Sequence, residues 1–193
     1  MDFEEFTVEH AISMKSWGDH KDPLFYDYNF RLRNDLEVRE FMNQKAYNPF
    51  CLYYAIINEG EMIGFIGLKR INAFTKNSTL GLVLNPDEID KGYGSTALYE
   101  FLKFYFHELG FNKMVLDVAS YNKRALRLYE KMGFKITKKS KMRYENPYNT
   151  TSDEEFLRFP DCFIFKNGKV LNYFYKMRLT KSEFLRKEEE FEV

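Results

Sequence analysis

The residues best suited to chemistry sit in two stretches. The first runs Leu80-Gly-Leu-Val-Leu-Asn-Pro-Asp-Glu-Ile-Asp-Lys-Gly-Tyr-Gly-Ser-Thr-Ala-Leu98. An apolar strand ends, the chain turns through Gly92 and Gly94, and a helix begins. The first turn of a helix presents backbone N–H groups with no acceptor inside the helix. The helix dipole adds partial positive charge there. Glycine keeps side chains away from those donors, so a pyrophosphate can approach them. Lys91 adds a cation at the turn and Ser95 a hydroxyl. Taken alone, the stretch reads equally well as a glycine-rich strand-to-helix loop that binds nothing. Two other phosphate-binding schemes are disfavoured. Gly-Lys-Ser/Thr is absent, and the strands before the loop read as a meander rather than the start of a βαβ unit.

The second stretch is Leu116-Asp-Val-Ala-Ser-Tyr-Asn-Lys-Arg-Ala-Leu-Arg-Leu-Tyr-Glu-Lys-Met-Gly-Phe134. Asn122 is of the type that caps a helix N-terminus. Lys123 and Arg124 follow in the first turn, where the dipole disfavours cations, so they face an anion or stay solvated. From composition, Tyr129 reads as an aromatic core residue. Asp117 is a carboxylate in an otherwise apolar strand, either a structural group or a general base.

Together the two stretches resemble the GNAT acetyltransferases. Residues 89–94 match the family's Arg/Gln-x-x-Gly-x-Gly/Ala loop at both glycines, with Ile89 at the usual Arg or Gln position. Asn122, Ala125, Leu128-Tyr129-Glu130-Lys131 and Gly133-Phe134 match its Asn-x-x-Ala-x-x-Leu-Tyr-x-x-x-Gly-Phe block. The likeness covers about residues 52–134, with 170–179 as the family's last strand, and is similar to the ribosomal-protein N-acetyltransferase branch.

The resemblance implies an α/β (α+β) GNAT fold, with a central, mostly antiparallel mixed sheet, one parallel strand pair and helices on both faces. It implies acetyl-CoA as cosubstrate and no metal. Free backbone groups of Leu82, Val83 and Leu84 would pair with the pantetheine arm. The amides of Asp90, Lys91, Gly92, Tyr93, Gly94 and Ser95 would hold the pyrophosphate. Asn122 would hydrogen-bond the pantetheine region, and Ala125 counts with it among the coenzyme-binding residues. The expected reaction is direct attack by a primary amine through a tetrahedral intermediate. Tyr129 matches the tyrosine that protonates the departing thiolate, and the N–H of Val83 or Leu84 would face the oxyanion. Ser78-Thr79 occupy the region where many relatives carry a glutamate base. Asp117 aligns with a carboxylate that ribosomal-protein alanine acetyltransferases use instead. The other reading is a non-catalytic acyl-CoA-binding regulatory module on the same fold.

The elements that must position these residues follow from periodicity and punctuation. Helices are expected over 7–17 and from Asn34 or Asp35 through Phe41, with a loop over 18–30 between them. Strands over 52–58 and 62–69 form a hairpin about Glu59-Gly60, and a third strand covers 78–84. A long helix runs from Gly92-Tyr93-Gly94 to Leu109 and stops at Gly110. A strand over 114–119, a helix from Asn122 to Gly133 and extended chain from Phe134 come next. The polar run 145–160 reads as a loop that covers the acceptor. Residues 163–165 and 170–179 form a hairpin about Asn167-Gly168. Thr180-Lys181-Ser182-Glu183 reads as the capping box of a last helix.

The length of 193 residues fits a single domain, 1–193. Lys plus Arg and Asp plus Glu number 29 each, which excludes the basic footprint of a general nucleic-acid binder. Aromatics reach 18%, mostly expected in the core. Cys51 and Cys162 form neither a disulfide framework nor a metal pattern, and His10, His20 and His107 form no ligand set. The start, Met1-Asp2-Phe3-Glu4-Glu5, is acidic, and no apolar run is long enough to cross a membrane. A cytoplasmic monomer or homodimer without a membrane partner is expected. Its acceptor is a small-molecule or peptide amine. Asp19, Asp22 and Asp27, set among aromatics in the 17–30 loop, are placed to receive a cationic amine.

Overall fold

In the computed structural model, the described residues are 1–30, 32–145 and 152–191. They fall into two compact units, Met1–Asp19 with Phe30–Met114, and His20–Asn29 with Val115–Val193.

The first unit is an antiparallel meander with helices. Strands β1 (Asp2–Glu5), β2 (Leu52–Asn58), β3 (Glu61–Asn72) and β4 (Asn77–Leu84) pair in chain order. The β1 strand escapes the sequence reading because Asp-Phe-Glu-Glu has little β-propensity. Pairing with β2, Phe3 opposite Ile56, makes it a strand. Turn residues Glu59 and Gly60 take positive φ, 53° and 83°, as a tight hairpin requires. Helix α1 (Val8–Ser13) starts at Thr7, whose side chain accepts from the His10 amide, and α2 (Asp35–Gln44) starts at Asn34, which caps Glu37. The core is aromatic: Phe65 lies 5.4 to 5.8 Å from the rings of Phe6, Phe30 and Phe41.

After β4 the chain reaches α3 (Tyr93–Lys103), which buries Ala97, Leu98, Phe101 and Leu102. The expected helix continues to Leu109, but its last part, Phe104–Glu108, widens into a π turn before Gly110 at φ 67° ends it.

The second unit draws on two chain segments. The early one holds a 3₁₀ helix, Pro23–Tyr28, where a plain loop is expected; Asp22 caps it at the Leu24 amide and Pro23 presets its first turn. The later one carries β5 (Lys113–Ala119), whose residues from Val115 belong to this unit, α4 (Lys123–Lys131) and β6 (Lys135–Arg143). It continues with α5 (Asp153–Leu157), β7 (Phe163–Lys166), β8 (Lys169–Thr180) and α6 (Lys181–Phe191). The expected 145–160 loop divides: 146–151 lie outside the described residues, while Ser152 and Glu155 form a capping box that starts α5.

Strand β8 is the hub of this unit. It pairs antiparallel with β6 and, through its first residues, with β7. Asn167 and Gly168, at φ 51° and 68°, make the expected tight turn. Leu24, Ala119, Tyr121, Phe156, Cys162 and Phe163 form a core cluster, with Phe25, Tyr144, Val170 and Phe174 packed against it.

Candidate active site

The first unit carries the strand-turn-helix stretch. Leu82, Val83 and Leu84 are half-buried and sit opposite Ile66, Phe65 and Gly64 on β3. Gly64 lets the two strands approach: a Cβ there would lie 2.5 Å from the Val83 carbonyl oxygen. Beyond β4, Asn85 organises the loop. Its Oδ1 accepts from the amides of Asp87 (3.2 Å) and Gly18 (3.3 Å). A Cβ at Gly18 would sit 2.3 Å from the Asp87 carboxylate, so a larger residue there would turn that side chain aside.

Gly92 is the N-cap of α3, at φ 86°, with no side-chain cap. A Cβ there would meet open space, so the glycine serves the backbone conformation. The helix therefore starts without the side-chain oxygen that usually satisfies a first-turn amide. The Ser95 amide already turns back to the Gly92 carbonyl at 3.0 Å. Its hydroxyl remains the group to consider. Lys91 is paired with Glu88 at 3.0 Å, so part of its charge is already met. Ser78 is buried and its hydroxyl bonds Tyr105 at 2.9 Å, which gives it a structural task.

The second unit carries Asn122, Tyr129 and Asp117. Asn122 caps α4 by accepting from the Ala125 amide at 3.1 Å. Burial pushes the Tyr28 phenol up, the neighbouring Asp27 adds to this, and the polar Asn122 side chain opposes it. Tyr129 is 9% exposed, its ring edge-on to Phe134 at 5.7 Å. Burial first, and Tyr28 second, raise its pKa above the ordinary tyrosine value, so the hydroxyl stays protonated near neutrality. Asp117 is exposed on β5, with the Lys176 ammonium 4.0 Å away. Lys123 reaches Cys162 Sγ at 3.6 Å.

Sequence reasoning misses the tyrosines that gather beside Tyr28. Tyr121 is 5% exposed and stacks on Phe163 at 5.2 Å, with Phe25 edge-on at 5.7 Å. The Tyr144 ring lies 6.2 Å from Tyr121, and its hydroxyl donates to the Pro23 carbonyl at 3.4 Å. Burial, then Tyr28, Tyr144, Asp27 and Asp22, push the Tyr121 phenol well above its usual range. Among the described residues, the Tyr121 and Tyr129 hydroxyls have no hydrogen-bond partner. Nothing local in the sequence signals this cluster, because its members come from three separate elements. Of the three loop aspartates, Asp22 is bound by Arg158 through both oxygens, at 2.7 and 2.8 Å. Burial first, and Glu145 second, raise the Asp27 carboxyl.

Among the described residues, no group of His, Cys, Asp and Glu is arranged to hold a metal ion, and no helix is long and apolar enough to cross a membrane.

Comparison with known proteins adds an independent line. The family described as acetyltransferase (GNAT) domain matches residues 2–135. The chain is 32% identical over 99 residues to spermidine N(1)-acetyltransferase of Vibrio cholerae, covering 51% of this chain and 57% of that one. It is 28% identical over 104 residues to an uncharacterized prophage-derived N-acetyltransferase of Bacillus subtilis, covering 53% and 58%. The matched stretch thus spans less than three fifths of either relative. In fold, the chain resembles the crystal structure of the V. cholerae spermidine N-acetyltransferase in complex with CoA and spermine. The TM-score is 0.68 at 18% identity, over 95% of this chain and 97% of that one.

Proposed function

The chain belongs to the acetyltransferase (GNAT) domain family, and from that premise we propose that it transfers an acetyl group from acetyl-CoA to a primary amine. The observation that carries this reading is the uncapped start of α3, opened by Gly92 in a left-handed conformation inside the family-matched span. Amides of residues 90–94 and the Ser95 hydroxyl are assigned to the pyrophosphate, and the backbone of Leu82, Val83 and Leu84 to the pantetheine arm. Asn122 and Ala125 complete the coenzyme-binding residues. The open space around Gly92 and the half-buried end of β4 are compatible with such a ligand.

When bound, acetyl-CoA supplies an acyl carbon already activated by sulfur. The amine attacks it in its neutral form, an N–C bond forms and the C–S bond breaks. The N–H of Val83 or Leu84 is assigned to the carbonyl oxygen as it gains charge. Tyr129 is assigned to the leaving sulfur. Burial keeps its proton in place, which makes it a steady hydrogen-bond donor but a reluctant acid. Its contribution is therefore greatest while the C–S bond is breaking and charge builds on sulfur. Asp117 is assigned to the amine proton; its exposed carboxylate is accessible to a relaying water.

Thiol release from acetyl-CoA, measured across peptides, polyamines and aminoglycosides, tests the reading. At least one amine should be acetylated, and Tyr129→Phe should lower kcat about a hundredfold while coenzyme affinity holds within a few-fold. Coenzyme binding without thiol release for any amine would leave a binding module instead. Unchanged kcat in Tyr129→Phe would remove this tyrosine from the chemistry.

A further inference from the structure

Charge is unevenly placed along this chain. Basic and acidic residues balance at 29 each, yet β6 carries Lys135, Lys138, Lys139, Lys141 and Arg143 and no carboxylate. Its partner β8 adds Lys169, Lys176 and Arg178, again without an acid. Acids from other elements meet two of these cations: Glu183 lies 3.0 Å from Lys135 and Asp117 4.0 Å from Lys176. Lys176 sits opposite Lys138, so both contacts belong to the first half of β6. In the second half, Lys139, Lys141 and Arg143 are exposed. At alternate positions they share one face with Tyr175, Tyr173 and Leu171, their partners on β8. A tyrosine ring holds two of the ammonium groups: Lys139 Nζ lies 3.9 Å and Lys141 Nζ 5.5 Å from the centroid of Tyr173.

The backbone of the same three residues is turned to the free edge. Among the described residues, β6 pairs with β8 and with no other strand. The Tyr144 amide donates to the Val170 carbonyl at 2.9 Å. In an antiparallel ladder, residues that bond the partner alternate with residues that do not. Ser140 and Met142 therefore bond β8 as Tyr144 does, while Lys139, Lys141 and Arg143 direct their N–H and C=O groups outward. The edge thus offers open backbone groups and a row of cations about 7 Å apart. Edge lysines ordinarily discourage pairing. Here they repel a second copy of this edge, because self-pairing would set cation against cation, and the same charges favour a strand of opposite sign. A nucleic acid would meet the cations but leave the backbone groups unpaired. The tyrosine faces its bases would stack on are half-buried, and that of Tyr173 is covered by lysine. An extended acidic peptide satisfies both demands: its main chain pairs the edge, and its alternate carboxylates reach the cations. Met142, 53% exposed on the opposite face, gives the intervening side chains an apolar contact. We propose that the outer edge of β6, from Lys139 to Arg143, binds an acidic segment of a partner protein as an added β-strand. The proposal stands apart from the acetyl-transfer reading.

The test uses the full chain and a fluorophore-labelled peptide in which Glu alternates with Thr. Anisotropy should show saturable binding that weakens about tenfold in Lys139→Gln/Lys141→Gln/Arg143→Gln, since three cross-strand charge pairs are lost. The melting temperature of that variant should stay close to wild type, because the three side chains are exposed. The same peptide with Gln in place of Glu should also bind about tenfold more weakly. Methylating the alternate peptide amides that turn toward β6 should abolish binding, while methylating the other set should leave it within a few-fold. Absence of binding would overturn the proposal, as would equal binding of the Gln peptide or equal binding by the triple variant. Binding that ignores methylation of either set would overturn strand addition, leaving charge attraction alone. Single-stranded oligothymidine bound more tightly than the peptide, and lost in the same variant, would overturn the peptide as the occupant.

Discussion

Gly92 and Gly94 separate two reasons for a glycine. At Gly92 the backbone is left-handed and a Cβ would meet open space. Gly92→Ala should therefore destabilise by about 1 kcal/mol through conformation, with coenzyme affinity largely kept. Gly94 stands one residue into α3, where a large side chain would cover the first-turn amides. Gly94→Trp should abolish coenzyme binding in calorimetry while the melting temperature stays close to wild type. Retained binding would remove the pyrophosphate from this turn. Both glycines, and Asn122 as a cap, are legible in sequence because each meets a local demand of the backbone. Tyr121 and Tyr144 are not. Their meaning depends on which side chains the fold brings beside them, and no spacing rule encodes that.

Elements are legible to the degree that their signals are local. The Thr180–Glu183 box is one such case: Glu183 accepts from the Thr180 amide at 3.0 Å and from its hydroxyl at 2.7 Å. By contrast, β1 forms through pairing, and the first turn of α5 is buried in a run of turn-forming residues. The Glu183 box also makes a pH prediction. Burial acts to raise this carboxyl, but hydrogen bonds from Thr180 and Lys135 and the charge of Arg178 outweigh it, drawing the pKa from 4.5 to about 2. A depressed folded pKa adds stability that is fully present above the unfolded value and is lost as pH falls through the folded one. Glu183→Gln should thus cost about 1–2 kcal/mol near neutral pH. In urea melts the gap to wild type should narrow below about pH 4.5 and close near about pH 2. A gap of constant size across that range would mean the carboxylate charge is not what holds the start of α6.

At the scale of the whole chain, the family match and the aromatic cluster of the second unit part company. Residues 2–135 carry β4, the Gly92 turn, Asn122 and Tyr129. Tyr144, Glu145, Phe156 and Phe163 lie beyond that match. The sequence therefore offers motifs for the coenzyme, and for the amine only loop aspartates with no motif around them. The second unit must nonetheless fold around residues 20–29, because Leu24, 1% exposed, packs in one cluster with Tyr121, Phe156 and Phe163. Leu24→Ala deletes buried methyl groups and leaves a cavity, so it should cost about 2–5 kcal/mol. Hydrogen exchange should show the loss in β7 and in the first half of β8, where Val170 and Phe174 pack on the same cluster. If the substitution leaves protection there unchanged, the early segment is not part of this core.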